Sequence, residues 1–151
     1  MRIEDIILVE RIVLDEHLRS KKTVLEKLAS LLVTDNSDLS ACCIGDLFSS
    51  RERLGTTGLG GGVAIPHAKI SSGEQARGAV LRTINPIDFD ALDDQPVDLF
   101  FALCVPEDCV NEHLDLLAKL AEAFSDCHFV ENLRKAKNAD VFIRQLREKI
   151  G

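Results

Sequence analysis

Residues Arg51 to Ile70, RERLGTTGLGGGVAIPHAKI, bring a chemically capable side chain together with the backbone needed to present it. His67 follows a glycine-rich turn and a short β-branched run. Gly55, Gly58, Gly60, Gly61 and Gly62 permit positive φ and let the backbone come close to another group. Val63, Ala64 and Ile65 predict a short buried strand. Pro66 fixes its own φ and keeps Ile65 extended, so that strand ends just before His67. An imidazole at a strand end is held by the sheet yet left accessible by the following loop. The stretch suggests a held, reachable histidine at a place where chemistry is common.

Nucleotide-binding loops do not fit. A Walker loop needs Lys and Ser or Thr after its last glycine, and none of these glycines is followed that way. A dinucleotide fingerprint starting at Gly58-x-Gly60 has Val63 where Gly or Ala belongs, and Pro66 blocks the helix on which a pyrophosphate would rest. Two readings stay open from the stretch alone: a held, reachable histidine, or one that closes a structural turn.

The elements that must position His67 come from a chain with 46% hydrophobic and 28% charged residues and no Trp or Tyr, which predicts an aliphatic core with a few phenylalanines. Its 151 residues suit one domain spanning 1–151. A formal charge of −7 and no clustered basic stripe disfavour nucleic acid as a partner and leave soluble proteins. Five cysteines without CxxC spacing, Cys42 and Cys43 adjacent, suggest reduced thiols in the cytosol, expected here as small buried hydrophobes. The N-terminal MRIEDIILVERIVLDEHL is interrupted by Glu4, Asp5, Glu10 and Arg11. It fits neither a signal peptide nor a membrane span, and no membrane insertion is expected.

Ser20 is the expected cap of a helix whose apolar face is Val24, Leu25, Leu28, Leu31 and Leu32. A turn at Thr34 to Ser37 leads to a second helix on Leu39, Cys43 and Leu47, with Ile44 and Phe48 beside them, ending near Arg51, Glu52 and Arg53. The ordinary role for those charges is a solvated helix end. Beyond His67, Ser71 to Gln75 predicts a loop, Ala76 to Ile84 a strand, and Asn85-Pro86 and Asp93 to Gln95 two turns. Val97 to Val105, VDLFFALCV, predicts a central strand covered on both faces and ended by Pro106. A helix capped by Asn111 should bury Leu114, Leu117, Ala118, Ala121 and Phe124. Two more helices follow, around Phe129 to Lys137 and Val141 to Ile150. The fold class is α/β, a single-domain sandwich with a central mixed sheet flanked by helices.

His113 falls in the first turn of the helix after the central strand, where it would meet His67 at one sheet edge. The common role of a histidine there is a half-exposed helix residue, and His17 and His128 are assigned that role outright. A zinc site of His67, His113 and Cys104 or Cys109 lacks the ligand spacing of a zinc motif, so no metal is expected.

The run RERLGTTGLGGGVAIPHAKI closely resembles the phosphorylation-site signature of mannitol- and fructose-type enzyme IIA proteins of the bacterial phosphoenolpyruvate-dependent phosphotransferase system, and most nearly their nitrogen-regulatory branch. SKKTVLEKLASLL resembles that branch's first long helix, ALDDQPVDLFFALCVP its central strand region, and EHLDLLAKLAEAF the helix bearing its second site histidine. The resemblance implies a mannitol-type IIA fold. It also implies that His67 is the phosphorylated histidine, at Nε2, with His113 as the second active-site histidine and Arg51 as the arginine that opens the signature. Thr56 stands where nitrogen-type members often have serine, which keeps the hydroxyl. Ala68 stands where many of them have glycine and sugar-type relatives often carry alanine.

The implied chemistry is in-line attack by a neutral imidazole on the phosphoryl group of a donor phosphohistidine, so the protein has mainly to position the nucleophile and stabilise spread negative charge. Arg51 and His113 would donate to the phosphoryl oxygens. Thr56, Thr57, Gly58, Gly60 and Gly62 would bring loop and backbone close to the group. No cofactor is called for. The implied donor is a small histidine-phosphorylated carrier, HPr-like or its nitrogen-branch counterpart, and the implied receivers are regulatory protein targets in the cytoplasm. With no attached permease or carrier domain in the sequence, regulation is expected over sugar uptake through a IIB partner. A binding module that has kept the fold and lost the chemistry is the third possibility, against which the intact His67, His113 and Arg51 argue.

Overall fold

The computed structural model describes residues 2–33 and 40–150. In chain order its elements are α1 (Ile3–Ile6), β1 (Ile7–Glu16), α2 (Lys21–Leu32), α3 (Ala41–Leu54) and β2 (Gly58–Gly60). Then come β3 (Val63–Ala64), β4 (His67–Ile70), β5 (Arg77–Ile87), β6 (Val97–Pro106), α4 (Val110–Phe124), α5 (Cys127–Lys135) and α6 (Ala139–Ile150). The strands form one mixed sheet in the order β1-β5-β6-β3-β2, with β4 also paired to β6. Parallel pairs are β1 with β5 and both β3 and β4 with β6, while β5 and β6 run antiparallel.

The continuous apolar run in β6 is explained by two cores. Leu99, Phe101 and Leu103 point to one face, where they meet Leu116, Leu120, Phe124, Leu133, Phe142 and Leu146 of α4, α5 and α6. Phe100, Ala102 and Cys104 point to the other, against Val24, Leu28, Leu32, Ile44 and Phe48 of α2 and α3. A strand covered on both sides has no polar face to alternate with. The expected helix-flanked mixed sheet is therefore present.

Local signals mostly hold. Ser20 accepts from Thr23 N–H at 3.1 Å and caps α2. The turn at Asp93 to Gln95 is closed by the Asp94 N–H donating to the Ala91 carbonyl at 3.0 Å. The expected turn at Thr34 to Ser37 and the packing of Leu39 lie outside the described residues.

One strand is added and three expectations are corrected. Ile7–Glu16 is a strand, pairing in irregular parallel register with β5, although Glu10 and Arg11 break its apolar pattern and Arg11 is itself buried. Asn85-Pro86 makes no turn, because β5 stays extended to Ile87, with its register to β6 shifted between Arg82 and Ile87. Helix α4 starts at Val110 with Cys109 at the cap position and no side-chain cap, so Asn111 lies inside the first turn. Its buried face is His113, Leu116, Leu120, Ala123 and Phe124, and of the expected set only Phe124 belongs to it; Leu114 is 58% exposed. Both stripes of α4 are apolar, and helical spacing alone does not choose between them.

The cysteines divide as well. Cys104 is buried, as expected of all five, while Cys42, Cys43 and Cys127 are exposed and Cys109 is half-buried.

Candidate functional site

His67 is the first residue of β4, so it opens a new strand after β3 rather than only following the end of one. Parallel pairing sets it opposite Leu103 of β6, and Leu103 N–H donates to the Pro66 carbonyl at 2.9 Å. The ring is fixed from behind as well. Its Nδ1 lies 2.8 Å from the Ile65 carbonyl oxygen, and because that oxygen offers only lone pairs, Nδ1 carries the proton of the neutral ring. The lone pair is thereby left on Nε2.

Arg51, in the last turn of α3, faces that nitrogen. Its Nε–H donates to His67 Nε2 at 3.3 Å and its Nη1 donates to the Gly55 carbonyl at 2.8 Å, so the guanidinium is anchored to its own helix end. His113, in the first turn of α4, tilts over the same ring, with centroids 5.4 Å apart and planes at 55°. It is 6% exposed, well below the half-exposed state usual for a helix histidine. His113 Nδ1 is buried without a hydrogen-bond partner among the described residues.

Both imidazoles titrate below their ordinary value. For His67 burial is the main cause and the Arg51 charge adds to it, opposed by the Ile65 carbonyl and the Glu52 carboxylate. Burial also dominates at His113, helped by His67 and Lys69. Two neutral rings and a guanidinium therefore face one groove of about 610 Å³. Its rim is apolar: Leu47, Leu54, Val110, Leu114 and Leu117 surround Arg51, His67, Lys69 and His113. Leu54 is 85% exposed. An uncharged nucleophilic nitrogen, a fixed cation beside it and an apolar rim suit attack on an anionic group carried by another protein.

The expected residues fall into two groups. His67, His113 and Arg51 converge, and Thr56 and Thr57 share a smaller adjoining cavity with His67 and Arg51. The two hydroxyls are engaged in holding the loop. Thr56 Oγ1 donates to the Phe89 carbonyl at 2.8 Å and accepts from Gly58 N–H at 3.0 Å, and Thr57 Oγ1 donates to Glu52. Gly58, Gly60 and Gly62 line neither cavity that contains His67.

The packing around these three glycines gives them a structural reason to be glycine. A Cβ at Gly58 would come within 2.9 Å of Ala91. Gly60 and Gly62, at φ 106° and 83°, shape the β2–β3 turn against Asp93, Asp98 and Arg134. Cys104 lies in the core on the α2–α3 side, where burial pushes its thiol up to about 12. Among the described residues no three His, Cys, Asp or Glu side chains group as metal ligands.

Sequence reasoning gave Glu52 no role of its own beside the ordinary one of a solvated helix end. Its side chain is 6% exposed and pairs with Lys21 at 2.9 Å. It also missed the groove rim. The available signal was the second apolar stripe of α4, which was assigned to the core.

Comparison with known proteins gives the family. Residues 5–149 match the model of the EIIA 2 family of the phosphoenolpyruvate-dependent sugar phosphotransferase system. A nitrogen regulatory protein of Pseudomonas aeruginosa is 40% identical over 140 residues, covering 93% of this chain and 91% of that one. The crystal structure of nitrogen regulatory protein IIA-Ntr from Neisseria meningitidis superposes with a TM-score of 0.88 at 41% identity, over 97% of each chain. IIA mannitol from Escherichia coli, at 20% identity, shares the fold with a TM-score of 0.75 over 91% of this chain and 96% of its own. The strand-end histidine, its guanidinium and the sheet that carries them thus belong to a chain that is a member of the EIIA 2 family of the phosphoenolpyruvate-dependent sugar phosphotransferase system.

Proposed function

We propose that the protein is a regulatory phosphocarrier that accepts a phosphoryl group on Nε2 of His67 from a small histidine-phosphorylated carrier protein. The observation that carries this is the ring's fixed tautomer: Nδ1–H is bound to the Ile65 carbonyl, and the Nε2 lone pair faces the groove beside Arg51. The relatives named nitrogen regulatory protein support the regulatory role over sugar uptake.

The Nε2 lone pair attacks phosphorus as the P–N bond to the donor imidazole breaks, and that bond's electron pair returns to the donor ring. Nε2 of the neutral ring holds no proton, so none has to leave it on attack. Arg51 offsets charge on the phosphoryl oxygens, and His113 donates to them from the facing helix turn. The exposed apolar rim meets the donor around its own histidine. Nearly two negative charges then replace a neutral ring in an apolar-edged groove, which alters which proteins bind there. Among the described residues no helix is long and apolar enough to cross a membrane. The carrier role belongs to the cytoplasm, where the phosphorylated donor is.

Purified wild type, His67→Ala and His113→Ala would be incubated with phosphoenolpyruvate, enzyme I and the histidine carrier and followed by intact mass and acid lability. One acid-labile phosphate should appear on wild type, vanish with His67→Ala and form more slowly with His113→Ala. Uptake at the wild-type rate by His67→Ala would refute the assignment. Rapid onward transfer to a fructose- or mannitol-type IIB domain would turn the role to sugar uptake.

A further inference from the structure

Glu52 carries a buried carboxylate that the phosphoryl chemistry above does not use. A carboxylate out of water is tolerated only when its lone pairs are filled. Here they are: Thr57 donates from both its backbone N–H, at 3.1 Å, and its hydroxyl, and Lys21 Nζ lies 2.9 Å away. Lys21 also pairs with Asp90 at 3.4 Å and lies 4.7 Å from the centre of the Phe89 ring. Three segments therefore meet at this carboxylate, the end of α3, the loop entering β2 and the start of α2, and Lys21 ties in a fourth, the Phe89-Asp90 strip.

The loop half of this junction leads directly to His67. The Thr57 carbonyl accepts from Ile65 N–H at 3.0 Å, and the Ile65 carbonyl accepts the Nδ1 proton of the ring at 2.8 Å. Arg51, the preceding residue on α3, reaches the opposite ring nitrogen at 3.3 Å. We infer that Glu52 is a positioning residue: with Arg51 it makes the last turn of α3 a clamp on both nitrogens of His67, Arg51 directly at Nε2 and Glu52 through Thr57 and Ile65 at Nδ1.

A residue that merely stabilised the fold would change melting and leave the ring alone. Glu52 should change the ring. Glu52 also counteracts the Arg51 charge at His67, so neutralising it should lower the midpoint of His67 further. The other charged or titratable groups around that ring are Arg51 itself, His113 from α4, and Lys69 on the same strand as His67.

The inference rests on the phosphoacceptor reading for its kinetic half only. Wild type, Glu52→Gln and Glu52→Ala would be labelled with ¹⁵N, and the His67 ring followed by long-range ¹H–¹⁵N spectra across pH, alongside melting and initial rates of phosphate uptake from the phosphorylated carrier. Glu52→Gln keeps an oxygen for Thr57 and loses the charge; it should stay folded, lower the His67 midpoint and reduce kcat about fivefold with KM within about twofold of wild type. Glu52→Ala frees the loop; its ring signals should move towards mixed tautomers and its kcat should fall further.

Glu52→Gln with ring spectra, midpoint and uptake all indistinguishable from wild type would overturn the inference, whether or not Glu52→Ala folds. Failure of wild type to take up phosphate would instead sink the carrier reading and leave the ring spectra to decide the role of Glu52.

Discussion

Arg51 donates its Nε–H to Nε2 of His67 at 3.3 Å, so the nitrogen with the free lone pair is also the one that the guanidinium covers. In the proposed reaction, attack on phosphorus requires that N–H to turn from the ring to the incoming oxygens while Nη1 keeps its hold on Gly55. Removing the side chain would uncover the proposed nucleophile but also remove the cation proposed to stabilise the transferred group, and the second effect should be the larger beside an apolar rim. Arg51→Ala should slow uptake about a hundredfold. Arg51→Lys, which keeps a charge without the planar fork, should fall between, at about tenfold. Initial rates from the phosphorylated carrier decide this, and a variant faster than wild type would reverse the order of the two effects.

Acid sensitivity follows from the two depressed imidazoles. The ordinary value is 6.5, and folding lowers both His67 and His113 below it. The unfolded chain thus binds more protons as pH falls through 6.5 towards the folded values, and stability drops across that window while staying level above it. Melting temperature should be constant from about pH 8 to 7 and decline from about pH 6.5 downward. His113→Leu should flatten part of the decline. Asp93 and Asp126, whose carboxyls titrate below the usual carboxylate range, contribute only at more acid pH.

Gly62 tests whether a glycine of this turn serves packing or chemistry. Its φ is 83°, and a Cβ there would overlap the guanidinium of Arg134, which is held by Asp98 and donates to the Gly61 carbonyl at 2.6 Å. Gly62→Ala should cost about 2 kcal/mol of stability. Gly61→Ala, at φ 65° with open space around the new methyl, should cost less. Urea unfolding measures both. Uptake per folded molecule should be unchanged in each.

The groove rim predicts a binding effect without a stability effect. Leu54 and Leu114 are 85% and 58% exposed, so exchanging them for acids removes little buried contact within the fold. Leu54→Asp and Leu114→Glu should each raise KM for the phosphorylated carrier about tenfold, ~1.4 kcal/mol, with melting within a degree or so of wild type. A change in kcat at constant KM would place the effect on the chemistry.

Thiol reactivity reports burial directly. Cys42, Cys43 and Cys127 are exposed and should react quickly with a disulfide reagent near neutral pH, and Cys109 more slowly because partial burial, and then the neighbouring Asp108 and Glu112, raise its pKa. Cys104, pushed up to about 12 by burial, should react only after unfolding. Three fast thiols per folded chain is the expected count in a timed titration.

The amino-acid sequence alone determined the parts of this protein that are local. Ser20 and the Val24 to Leu32 spacing specify α2, because a cap and a helical stripe act within a few residues. The unbroken run of β6 specifies a strand covered twice. The order glycine turn, Val63 to Ile65, Pro66 places His67 at the edge of the sheet, and the motif around it carries the family.

Only the tertiary structure decided which of two apolar stripes on α4 faces the core, since helical period is the same for both and the choice depends on what β6 presents. The stripe left outside became the groove rim. Strand β1 emerged only through its pairing with β5, which overrides the charges at Glu10 and Arg11. Glu52 carries the same lesson: a carboxylate near a helix end stays in water unless donors distant in sequence surround it, and Lys21 and Thr57 do so only once α2 and the loop are folded against α3.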